Sequence, residues 1–386
     1  MTLSRTRRAA LAAVLAVLAP GLLPAADEPA PDAYWVYFGT YTGKDASKGI
    51  YRSKLDAATG KLSDPELAAP VGSPSFLAVH PTKKFLYAVG ESSGKDGGGV
   101  YAFGLDAKTG ALTKLNAGTS GGGGPCHVTV SAAGTHAIVA NYGGGSTAIF
   151  KLEADGKLGD RTAFVQHAGS SKNPARQKEP HSHSGFFTPK GDFALSVDLG
   201  LDRIKVFKFD PATGKADDDA AADVVTPPGS GPRHLALAPA ADYGYVCGEL
   251  DSTVNVVKFD WAGGKHEVVQ TLSTLPEPVK GNSTAECILH PSGRFVYVSN
   301  RGHNSVAVFA VGGDKKLTAA GHITGAIKTP RNFNVDPSGK WMLIASEAGE
   351  RVGVYEIDPK TGLGKETESG VKLSKPVCVK FVAVEK

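Results

Sequence analysis

Short runs of aliphatic and aromatic residues recur along the chain about every fifty residues. Each is followed by a Pro- or Ser-containing turn, a second apolar run that ends on a charged, amide, apolar or aromatic residue, and then a third run. The seven second runs are residues 34–41, 85–91, 136–142, 193–199, 243–249, 295–301 and 341–347. Strand-type alternation with tight turns predicts sheets. One such sheet cannot bury both its faces alone, so a repeat of this length predicts an all-β, seven-bladed β-propeller.

Taking the turn residue after each first strand as zero aligns Pro81, Ser131, Pro189, Pro239, Pro291 and Pro337, spaced by 50, 58, 50, 52 and 46 residues. First strands are then expected at 76–80, 127–130, 185–188, 234–238, 287–290 and 332–336, lining the central channel. Residues 376–381 carry the same pattern at the far end, while 34–41 lacks a preceding strand. The C-terminal strand is therefore expected to complete the N-terminal blade and close the ring, removing two open edges.

Hairpin geometry sets position minus six opposite position plus ten, at one end of each blade. Minus six holds Ser75, Pro125, His183, Arg233, Ala285, Arg331 and Pro376; plus ten holds Glu91, Asn141, Leu199, Glu249, Arg301 and Glu347. The other end of the same strands is mostly turn residues without comparable charge. One channel mouth is therefore expected to be polar. The plainer alternative is that Arg233–Glu249 and Arg331–Glu347 are cross-strand ion pairs that neutralise each other.

Bulk properties narrow the function. The 386 residues include 48 Gly and 24 Pro, consistent with many short strands and turns. A net charge of +4 with no basic run interleaved with aromatics argues against nucleic acid. Arg5, Arg7 and Arg8, an apolar run over 9–23 and Pro24-Ala25-Ala26 form a leader, too short for a confident span. The expected organisation is a signal peptide at 1–26, a short linker at 27–33 and the propeller at 34–386, exported, monomeric and free of the membrane after cleavage. An uncleaved anchor is the alternative. Cys126, Cys247, Cys287 and Cys378 have no paired spacing and read as small apolar strand residues.

His181 and His183 share one strand face if the strand has begun there, which suits zinc only with a third ligand, and none has diagnostic spacing. No metal or cofactor is expected. A neutral imidazole in a mouth lined by Arg and Glu suits proton transfer instead. His127 and His234 read as structural, bonded to strand carbonyls, and His136, His266 and His322 as surface residues. The insertion over 166–177 explains the spacing of 58 and is expected to carry Arg176 and Gln177 to the His183 end, capping an anion.

Several stretches then carry a resemblance: Gly39-Thr40-Tyr41-Thr42, Pro74-Ser75-Phe76-Leu77, Asn141-Tyr142, Arg176-Gln177, Pro180-His181-Ser182-His183, Asp198-Leu199-Gly200-Leu201-Asp202-Arg203, Gly231-Pro232-Arg233-His234, Glu249-Leu250, Ser299-Asn300-Arg301 and Pro330-Arg331-Asn332-Phe333. In this order they resemble the lactonase family of seven-bladed propellers, which includes propeller-type 6-phosphogluconolactonases and the fungal carboxy-cis,cis-muconate cyclases. The resemblance implies a catalytic set of His183, Arg233, Glu249 and Arg301. His181, Arg331, Glu91, Asn141, Arg176, Gln177 and Glu347 are expected around the substrate. The implied reaction is hydrolysis of an acidic or phosphorylated sugar lactone. Alternatives are a binding-only exported propeller and a cycloisomerase.

Overall fold

The computed structural model describes residues 31–44, 46–92, 98–218 and 220–386. The expected leader and residues 27–30 of the linker lie outside them. Seven antiparallel sheets form a ring, six of four strands and one of five. The C-terminal strand Pro376–Ala383 pairs with Ala33–Thr40, completing the N-terminal blade as expected. That first strand begins one residue before the expected boundary, at Ala33.

Burial falls from the middle of each blade to its edge. Second strands such as Phe295–Asn300 and Trp341–Ser346 are buried at every position, because both faces meet neighbouring blades. Fourth strands such as Gly364–Lys372 are largely exposed or half-buried and polar. Tyrosines on second strands latch one blade to the next: the hydroxyls of Tyr37, Tyr87 and Tyr297 donate to the carbonyls of Gly110, Gly156 and Gly362 at 2.9, 3.0 and 2.9 Å. A ring that buries such a tyrosine needs a partner for its hydroxyl, and an outer turn supplies it.

That turn is itself repeated. Asp106 Oδ1 accepts the N–H groups of Lys108 and Thr109 at 2.9 and 3.2 Å, and the chain reverses through Gly110 at φ +71°. A Cβ on Gly110 would lie 2.5 Å from the Trp35 ring, so this turn needs glycine for space as well as conformation. Asp56, Asp210 and Asp358 build the same turn in other blades.

The first strands, Leu77–Val79, Pro125–Val130, Ser182–Phe187, Pro232–Leu237, Thr284–Leu289, Pro330–Val335 and Pro376–Ala383, line the channel. In two blades the structure shifts the expected register by one. The N–H of Ser131 is bonded by the carbonyl of His136, just as that of His80 is by Phe85, so Ser131 is equivalent to His80 and not to Pro81. The hairpin has the same length as in the other blades, but Ala132 rather than Ser131 stands where proline marks the turn elsewhere. Its mouth positions are consequently Cys126 and Tyr142, replacing Pro125 and Asn141. In the closing blade, the bond from the Tyr41 N–H to the Lys375 carbonyl sets Val377, not Pro376, at the mouth.

Candidate active site at one end of the channel

The mouth positions converge on a cavity of about 260 Å³ lined by Glu91, Cys126, Tyr142, Arg176, His183, Glu249, Arg301 and Arg331. Its organising group is Glu249, only 4% exposed. Arg176 donates to Glu249 Oε1 at 2.9 Å, Arg233 Nε to Oε2 at 2.9 Å, and Arg301 lies 3.1 Å from Oε2. Burial would raise this carboxyl, but Arg301, Arg233 and Arg176 hold it down at about 2. Three guanidiniums on one carboxylate leave positive charge in excess.

Each arginine is fixed by more than Glu249. Arg233 also donates to the Ala285 carbonyl at 2.6 Å and Arg301 to the Thr284 carbonyl at 2.9 Å, tying both to the neighbouring first strand. Arg176 arrives on the insertion, as expected, and donates to the Tyr142 hydroxyl at 2.9 Å. Arg331 differs from them. No carboxylate among the described residues lies within ion-pair distance of it, and its guanidinium rests 5.2 Å from the centre of the Tyr41 ring. The Tyr41 hydroxyl in turn donates to Glu91 at 3.0 Å. Of the two cross-strand ion pairs weighed from the sequence, Arg233–Glu249 forms and Arg331–Glu347 does not. Glu347 is half-buried and does not line the cavity.

His183 forms part of the cavity wall, its Nδ1 3.7 Å from Cys126 Sγ. Burial lowers its basicity well below the ordinary histidine value, with Arg233, His234 and Arg331 acting in the same direction, so it is neutral near pH 7. Cys126 donates to the His183 carbonyl at 3.3 Å, and burial raises its thiol, which removes it as a nucleophile.

Three expected substrate contacts have other work. His181 donates from Nδ1 to the Tyr142 carbonyl at 3.0 Å and stacks on the Tyr142 ring at 4.5 Å, so it props a cavity residue without lining the cavity. Gln177 is fully buried; it accepts the Asn173 N–H and donates to the Leu199 carbonyl at 2.8 Å each, bracing the insertion. Asn141 is fully buried and donates to Ser146 at 3.1 Å. The residue missed at its expense is Tyr142, one place along.

Other histidines also depart from expectation. His127 accepts the Gly185 N–H at 3.2 Å and His234 meets the Glu286 carboxylate at 2.8 Å, neither bonding a strand carbonyl. His136 is buried rather than on the surface.

A sequence profile described as "Lactonase, 7-bladed beta-propeller" matches residues 35–381. The chain belongs to this lactonase family. Within the family it is 35% identical over 352 residues to a Bacillus subtilis protein named 6-phosphogluconolactonase, covering 90% of this chain and 98% of the relative. It is 29% identical over 331 residues to a 6-phosphogluconolactonase of Formosa agariphila, covering 85% and 93% of the two chains. Among solved structures, a Pseudomonas aeruginosa periplasmic gluconolactonase superposes with a TM-score of 0.85 at 29% identity, covering 92% of this lactonase-family chain and 100% of that one.

Proposed function

We propose that this propeller hydrolyses an anionic sugar lactone to the open-chain acid in the charged mouth of its channel. The observation that carries this reading is Arg331: a guanidinium without a carboxylate partner, beside a Glu249 already shared by three others, opening on a small polar cavity. Such a site attracts a carboxylate or phosphate and stabilises the oxyanion that forms when water adds to a lactone carbonyl. Relatives named for lactone hydrolysis across most of the chain's length support the reaction class.

In this reading Arg331 takes the substrate's anionic group and Arg301, from the preceding blade, faces the lactone carbonyl. Arg233 and Glu249 hold Arg301 and Arg176 in place, while Arg176 from the insertion and Tyr142 at the end of its second strand cover the substrate. His183 remains neutral and able to hydrogen-bond the ring oxygen as its bond to the carbonyl carbon breaks. The leader expected at residues 1–26 favours a substrate met outside the cytoplasm. A carboxylated sugar lactone satisfies both the charge and that location.

The test is a panel of neutral, carboxylated and phosphorylated sugar lactones, followed by proton release above the spontaneous rate. Turnover of the acidic members, abolished in Arg301→Gln, is expected. Binding of the acidic lactones without turnover would replace hydrolysis with a binding role.

A further inference from the structure

Directly beneath the cavity lies a much smaller space of about 10 Å³, room for one water molecule. It shares Glu91, Cys126, His183 and Arg331 with the cavity above, so it forms part of the cavity floor. Two residues lining it, Ser75 and His234, each bury an atom that has no hydrogen-bond partner among the described residues: Ser75 Oγ and His234 Nε2. Leaving such atoms unpartnered is costly, and a water between them removes the cost.

The other side of the His234 ring is tightly specified. Nδ1 lies 2.8 Å from Glu286 Oε1, which also receives the Cys287 N–H at 3.0 Å, and Glu286 Oε2 receives the Asn332 side-chain amide. A backbone N–H and an amide NH₂ can only donate, so Glu286 is acting as an acceptor on both oxygens. An ionised Glu286 makes Nδ1 the protonated nitrogen of His234 and leaves the lone pair of Nε2 directed away from the carboxylate. Two orphaned atoms, one water-sized space and an imidazole oriented by a carboxylate thus occur together under the proposed substrate.

We propose that His234, oriented by Glu286, is the base that activates the hydrolytic water. This rests on the lactone-hydrolase reading and assigns it a residue on the channel floor. Water held at Nε2 gives its proton to that nitrogen as its oxygen bonds to the lactone carbonyl carbon. The carbonyl π electrons move onto oxygen, where the arginines stabilise them. When they return, the carbon–ring-oxygen bond breaks, the ring oxygen takes the proton from Nε2, and the product carboxylic acid releases its own proton to solvent. Glu286 is a positioning residue, since it fixes which nitrogen of His234 is free.

The groups facing this imidazole are Arg233 and Glu249 from its own blade, Glu286 and Arg331 from following blades, His127 and His183 from preceding ones, and Lys380 from the closing strand. Burial, then Arg233, Arg331 and Lys380, keep the ring uncharged at neutral pH, as a base requires. The proposal predicts that His234→Gln lowers kcat about 10²- to 10³-fold with KM changed less than about threefold. Glu286→Gln, which favours the wrong tautomer, is expected to lower kcat by at least about tenfold and to flatten the acid limb of the pH profile. A high-resolution crystal structure of the unsubstituted protein is expected to contain a water within hydrogen-bond reach of His234 Nε2, a readout that needs no variant to fold. Lactone turnover untouched by His234→Gln, or a dry space at Nε2, overturns the base while leaving the hydrolase reading intact. No lactone turnover by the unsubstituted protein overturns that reading and the base with it.

Discussion

The channel opens at both ends through spaces of similar size, about 260 Å³ at the charged mouth and 320 Å³ at the opposite one. The same first strands feed both. At the opposite end they present Leu77, Val79, Val128, Val130, Val335 and Phe381, with Asn334 and Lys380 as the principal polar groups. Aliphatic residues there do what a propeller needs, packing the strands against each other. At the charged mouth the strand ends and the insertion carry four arginines and two glutamates, of which Arg233 and Glu249 are almost fully buried. Burying charge is expensive unless it is paired, and pairing does not recover more than apolar packing would have given. The opposite end closes without such a cluster, a contrast that supports the chemistry proposed for the charged mouth.

Breaking that contrast most severely is Glu249→Gln. It leaves Arg176, Arg233 and Arg301 facing one another without their carboxylate, and a loss of about 3–5 kcal/mol of stability is expected from denaturant unfolding. Activity should fall with it.

The pH dependence of stability follows from the same residue. Because the Glu249 carboxyl is held at about 2 in the fold against an ordinary value of 4.5, its contribution is complete above pH 4.5 and is lost as pH falls toward 2. Acid unfolding of Glu249→Gln should lack that part of the slope; identical slopes would contradict the clamp.

Away from both openings, Tyr87→Phe removes the latch to the Gly156 carbonyl and should cost about 1 kcal/mol without altering catalysis. At the opposite end, Val130→Ala is expected to leave kcat/KM within about twofold, the smallest effect of the series. A large change there would mean that substrate uses the apolar end.

The strands and ring closure were legible because their apolar alternation is dictated by burial on both faces, and every second strand lies within a residue of its expected bounds. The candidate site was legible where a proline marks the turn, which is why His183, Arg233, Glu249, Arg301, Arg331 and Glu91 come together. It failed at Ser131, which lies one residue before a turn position that holds Ala132 and no proline. In a strand a one-residue slip exchanges faces, so a scaffold residue, Asn141, stood in for Tyr142. The closing strand has no covalent hairpin, and the same slip exchanged Val377 for Pro376. His234 and Glu286 were illegible for a different reason: they are 52 residues apart on separate blades, and nothing in either segment announces the 2.8 Å contact. His181 and Gln177 lie beside the cavity-lining His183 and Arg176 in sequence, but local hydrogen bonding turns them to the support of Tyr142 and the insertion.

The most direct test of the charged mouth is Arg331→Gln, assayed in parallel on an anionic sugar lactone and its neutral counterpart. Losing a charge-assisted contact of about 1.5–3 kcal/mol predicts a KM for the anionic lactone raised roughly ten- to hundredfold, with the neutral one changed less than about threefold. Equal effects on the two lactones, or none on either, would contradict an anion site at Arg331.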